Sequence, residues 1–142
     1  MSEIETILSD DSAKKQLDLL LEYYDIEKDD IEIEEGPEAM QTLLNGLIRA
    51  IRKGRIEVVE QAGELIVRQN LKHPPGEMEM LEYGVVGQKA RMAMDKIKDS
   101  RAQERMCAFM GSLAGLPPSA LTKLKGVDMG TMNRLATVFS MV

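Results

Sequence analysis

A mainly helical α+β fold, with a small antiparallel three-stranded sheet in the middle of the chain, follows from three stretches of this sequence. Apolar residues recur at helical spacing from Met40 to Ile51. Two β-branched runs, 55–60 and 64–71, flank a glycine-containing break. From Gln88 onward the pattern returns to helical stripes, interrupted at Ala114-Gly-Leu-Pro-Pro118. With 142 residues, of which 44% are hydrophobic, the chain is long enough to bury a modest core.

Taken in order, Ser12 is positioned to cap a helix running to about Tyr24, with Leu17, Leu20, Leu21 and Tyr24 on one side. Residues 25–35 then set Ile26, Ile31 and Ile33 among acids, a pattern that fits an acidic linker or a brief edge strand, the linker being favoured. This divides the chain into an acidic N-terminal helix and linker, 1–35, and a single α+β domain, 36–142. The domain opens at Gly36-Pro37-Glu38, where proline suits a first helical turn because that N–H has no partner to lose. Met40, Leu43, Leu44, Leu47, Ile48 and Ile51 form its apolar stripe, and Gly54 ends it. Arg49, Arg52 and Lys53 complement the negative end of the helix dipole.

The two β-branched runs predict a hairpin turning at Gln61-Ala-Gly63, and Glu77–Tyr83 adds a third strand after the break at His73-Pro-Pro-Gly76. The result is a meander with one wet face. A helix across 55–71 is the alternative, since Glu57, Glu60, Glu64 and Arg68 also share a helical spacing. Ala90, Ala93, Met94 and Ile97 form one later stripe, and Ala102, Met106, Phe109, Met110 and Leu113 another, which predicts helices over 88–99 and 101–114 with a break between. Gly115 terminates the second, and Pro117-Pro118 starts a short turn leading into a final helix from Asp128. On that helix Met129, Met132, Leu135, Ala136 and Phe139 share one face, away from Asn133, Arg134 and Ser140.

The net charge of −6 conceals an asymmetry: residues 1–35 hold thirteen acids and three bases, net −10, leaving eleven acids and fifteen bases, net +4, for 36–142. The acidic segment therefore suits a solvated tail, a piece folded against its own basic body, or a recognition surface. Nucleic-acid binding is disfavoured, because the bases are scattered among acids and few aromatics stand beside them for stacking. There are eleven methionines, no tryptophan, three tyrosines and two phenylalanines, so apolar surfaces are soft and aliphatic; such methionines either fill gaps or let a surface repack around partners.

Chemistry is thin. The single cysteine, Cys107, lies among Met106, Ala108 and Phe109 as a buried small hydrophobe, and the only histidine, His73, abuts two prolines. No paired Cys or His has metal-ligand spacing, and no glycine-rich phosphate loop is present. We expect no enzyme, no cofactor and no metal. The start of the sequence has no basic region followed by an apolar run, and no apolar stretch reaches membrane-spanning length, so a cytoplasmic protein is expected. What remains is a set of amphipathic helices with methionine-rich faces, the equipment for binding other proteins.

The stretch from Met106 to Phe139 resembles the end of the tail assembly chaperones of long-tailed bacteriophages. In that family a helix ends in Gly-Leu-Pro, Leu-x-x-Leu follows, then an Asp, then a helix finishing near a Phe. Gly115, Leu116, Pro117, Leu121, Leu124, Asp128, Leu135 and Phe139 hold those places. Leu65-Ile-Val67, with Leu71, Pro74, Gly76 and Leu81-Glu-Tyr83, is similar to the short strand pair preceding the family's helices. The first 50 residues carry no such likeness. The resemblance implies a non-structural protein of the host cytoplasm that coats the tape-measure protein, keeps it soluble and helps recruit tail-tube subunits, with homo-oligomers possible. Leu116, Leu121, Leu124, Met129, Met132, Leu135 and Phe139 are the candidate protein-binding residues, each also suited to plain core packing. Two competing readings stand beside it: a small acidic inhibitor or mimic that covers a basic surface of a host protein, and a structural virion or neck component.

Overall fold

A computed structural model describes residues 8–26, 37–98 and 101–142, Pro37 and Met40 by backbone alone. The segment 27–35, expected as linker or edge strand, and the Gly36 helix start lie outside the described residues. Among the described residues the fold is α+β and mainly helical, with six helices and one three-stranded antiparallel sheet.

Helix α1 spans Asp10–Tyr23 and is capped by Ser9, whose Oγ accepts the Ser12 N–H at 3.1 Å. Ser12, expected as the cap, is instead the third helical residue that receives it. The helix starts earlier because Asp10 and Asp11 suit the positive end of its dipole, and Asp10 pairs with Lys14 at 2.9 Å. At its other end Asp25 takes φ 55° and the Ile26 N–H returns to the Leu21 carbonyl at 2.8 Å. Helix α2, Pro37–Arg52, closes the same way, with Gly54 at φ 76° and the Arg55 N–H on the Ala50 carbonyl. The Leu8 N–H reaches the Arg52 carbonyl at 3.0 Å, so the start of α1 meets the end of α2 and the two run antiparallel.

The hairpin forms as β1, Ile56–Gln61, and β2, Glu64–Asn70, which excludes the helical alternative there. Strand β3, Met80–Tyr83, pairs with β2 and is shorter than expected, because residues 77–79 still belong to the preceding turn and loop. Ile56, Val58, Leu65, Val67, Leu81 and Tyr83 alternate onto the buried face. The opposite face is wet and carries the Arg68–Glu82 ion pair at 2.6 Å.

Helices α3, Gln88–Asp95, and α4, Ala102–Ala114, are two pieces, as the shift in stripe predicts, although α3 stops four residues sooner. Arg105 secures the break: its Nη1 donates to the Ile97 carbonyl at 2.7 Å and to the Met94 carbonyl at 3.3 Å. Helices α5, Pro118–Leu121, and α6, Val127–Phe139, complete the chain. The core gathers where Phe139 meets the edges of Tyr83 and Tyr24, with ring centroids 6.4 and 6.0 Å apart. Helix α1 contributes Ala13, Leu17, Leu20 and Leu21 to this same core.

Candidate protein-binding site

The C-terminal block is built around a close approach at Gly111. The chain leaves α4 through Gly115 at φ 71° and folds back so that the Leu116 N–H bonds the Gly111 carbonyl at 2.8 Å. A Cβ on Gly111 would lie 2.8 Å from the Leu116 carbonyl oxygen, so glycine alone admits this return. Pro117 is extended and Pro118 begins α5, which swings Leu121 and Leu124 into the core.

Asp128 in the first turn of α6 fastens the block to the sheet. Its carboxylate accepts the backbone N–H groups of Lys72 and His73, each at 2.8 Å, and its carbonyl accepts Gln69 Nε2 at 2.8 Å. Gln69 Oε1 in turn accepts the Tyr83 hydroxyl at 2.7 Å. Burial, with Cys107 adding a smaller push, raises the Tyr83 pKa far beyond the ordinary phenol range. Tyr83 is therefore a fixed donor, and this leaves the Gln69 amide nitrogen free to donate to Asp128. Three buried polar residues thus satisfy one another across β2, β3 and α6.

The candidate binding residues divide by burial. Leu121, Leu124, Met132, Leu135 and Phe139 are buried, while Leu116 and Met129 are half-buried at the margin of the block. Met129 Sδ lies 3.4 Å from Gln103 Nε2, which also bonds Asn133, so that margin is partly polar. Helix α6 buries Thr131 and Val138 as well as Met132, Leu135, Ala136 and Phe139 of the predicted stripe, because α2 and α4 both pack on it. In this folded state the block presents little apolar surface of its own.

Apolar surface is exposed elsewhere. Helix α3 buries only Ala90, and Met92 stands 54% exposed on its outer side; Val85, just ahead of it, is 39% exposed. Between α3 and α4 runs a groove of about 350 Å³ lined by Gln88, Lys89, Met92, Ala93, Lys96 and Ser112. Sequence reasoning passed over Met92 because it followed the predicted stripe of Ala90, Ala93, Met94 and Ile97; the available signal was an apolar residue off that stripe, between two lysines.

Among the described residues no cluster of three or more His, Cys, Asp or Glu side chains could hold a metal ion, and no helix is long and apolar enough to cross a membrane. Cys107 is fully buried, and burial raises its thiol pKa, whereas His73 is exposed. No family model, curated protein or solved structure matches this chain.

Proposed function

We propose that this chain is a tail assembly chaperone of a long-tailed bacteriophage, which binds the tape-measure protein and helps recruit tail-tube subunits. The likeness of residues 106–139 to that family's ending carries the reading. Six of the eight positions that carry the likeness have a physical task in the fold: Gly115 turns the chain, Leu121, Leu124, Leu135 and Phe139 fill the core, and Asp128 ties the block to the sheet. In this reading the block supports α3 and α4 from behind, and the partner lies on their outer groove. The partner we assign there is an amphipathic, coiled-coil-forming helix of the tape-measure protein, its apolar stripe on Met92 and Ala93 and its acidic flank along Lys89 and Lys96.

Co-expression with the tape-measure gene tests this. The pair should co-purify through a high-salt wash, and Met92→Asp, a change at an exposed position, should abolish capture without lowering the melting temperature. Failure of the parent chain to retain the tape-measure protein would refute the proposal.

One observation favours the acidic-mimic reading as a second. Asp11, Asp18 and Glu22 lie exposed along α1 with Lys15 on the same face, and the other side of the helix is anchored in the core, so a face on which acids outnumber bases is held in place. A charge mimic of this kind would release a basic host protein as salt rises, because screening over a Debye length of about 8 Å at physiological salt shortens further.

A further inference from the structure

A second site lies at the C-terminal end of α2, shares no lining residue with the α3–α4 groove, and does not depend on the chaperone reading. Lys53, Gly54, Arg55, Asn70, Leu71 and Lys72 line an open pocket of about 410 Å³. Its three cations come from three places: the residue just after α2, the residue before β1, and the loop after β2. The helix dipole accounts for a base at Lys53, next to the helix end, but not for Lys72, which comes from the loop after β2. None of the three makes an ion pair among the described residues. The nearby carboxylate of Glu57 accepts Asn70 Nδ2 at 3.0 Å and lines the adjoining cleft rather than this pocket.

The walls are held in place. Asn70 Nδ2 donates to the Gly54 carbonyl and the Asn70 N–H to the Arg55 carbonyl, both at 2.8 Å, joining the two sides. The Lys72 N–H is taken by the Asp128 carboxylate. Indeed every backbone N–H of the lining residues is occupied: Lys53 on Arg49, Gly54 on Ile51, Arg55 on Ala50, Asn70 on Arg55, Leu71 on Glu79 and Lys72 on Asp128. A compact phosphate is typically cradled by converging N–H groups, and none is available here. Recognition is left to side-chain charges from three segments of the chain, a set suited to several carboxylates on one polypeptide.

We propose that this pocket binds the clustered carboxylates of an acidic polypeptide segment of a partner protein. The test is fluorescence anisotropy of a labelled octaglutamate peptide with the full chain at low salt, beside an octaglutamine peptide and inorganic phosphate as competitor. Octaglutamate should bind, octaglutamine should not, and phosphate at equal charge concentration should compete weakly. The double variant Lys53→Glu/Lys72→Glu should bind about tenfold more weakly, each reversal removing an attraction and adding a repulsion. The same charge change at Lys15 and Lys123, exposed and outside the pocket, should alter affinity by less than about twofold. Thermal melts establish that both variants are folded. Absence of octaglutamate binding, equal weakening by the two double variants, or competition by phosphate as strong as by free octaglutamate would each overturn the proposal.

Discussion

Removing the Asp128 carboxylate is the sharpest test of how the C-terminal block is held. Asp128 is 1% exposed, and its two oxygens each take one backbone N–H, from Lys72 and His73, at 2.8 Å. Asp128→Ala leaves both donors without an acceptor. Each orphaned donor costs about 1–3 kcal/mol when water cannot replace the lost partner. Lys72 and His73 are themselves exposed, so partial hydration should bring the sum towards the lower end, about 2–4 kcal/mol. Asp128→Asn keeps the shape but turns one oxygen into an NH₂ group that confronts an N–H, so its loss should be intermediate, about 1–2 kcal/mol. Urea unfolding followed by circular dichroism should show the midpoint falling in the order parent, Asn, Ala with an unchanged slope. In a thermal scan the alanine variant should melt roughly 10 °C lower for a chain of this size. If both variants unfold within about 0.5 kcal/mol of the parent, the carboxylate does not fasten α6 to the sheet and the account of the block is wrong.

Four further outcomes follow from single atoms. Thr131 is 1% exposed with its hydroxyl unpartnered, so Thr131→Val, alike in shape, should raise stability by about 1 kcal/mol in urea; a fall would mean the hydroxyl has an acceptor. Ala62 and Gly63 both adopt positive φ, 54° and 82°, in the two-residue hairpin turn, and Ala62→Asn should raise the melting temperature by the equivalent of about 0.5–1 kcal/mol. Gly111→Ala should destabilise by about 1–3 kcal/mol, because the new Cβ meets a backbone carbonyl at 2.8 Å, and the gain of up to about 1 kcal/mol in helix propensity cannot offset that; equal stability would show that the turn relaxes. Cys107 is 0% exposed and burial raises its pKa, so less thiolate is present at any given alkaline pH; a disulfide reagent should label it only as fast as the chain opens, and rapid labelling of the native protein would contradict this.

The elements that sequence periodicity discloses are those whose determinants are local. Apolar residues three and four apart define α2 and α4, alternation defines the hairpin, and Gly54 and Gly115 mark ends that depend on a left-handed residue. The start of α1 is displaced because two serines three apart can each cap, and the choice depends on where the acids fall relative to the dipole. What periodicity cannot disclose is a bond across the chain. Asp128 reads locally as an ordinary first-turn acid, yet its partners lie 55 and 56 residues earlier. Gln69 sits at an inward position of β2 as a polar residue among aliphatic ones, and only the fold supplies Tyr83 and Asp128 to satisfy it.

The candidate binding residues illustrate the same limit from the other direction. Leu121, Leu124, Met132, Leu135 and Phe139 stand out by apolarity at helical spacing, and that spacing is also what the core requires, so a repeating stripe cannot by itself separate packing from recognition. The distinguishing mark is apolarity that breaks the stripe. Met92 lies between Lys89 and Lys96 on the outer side of α3, where no fold requirement explains a methionine, and it remains 54% exposed beside a groove. A surface chosen on that criterion can be altered without disturbing the core, which is why Met92, rather than Leu135, is the residue whose substitution separates loss of binding from loss of folding.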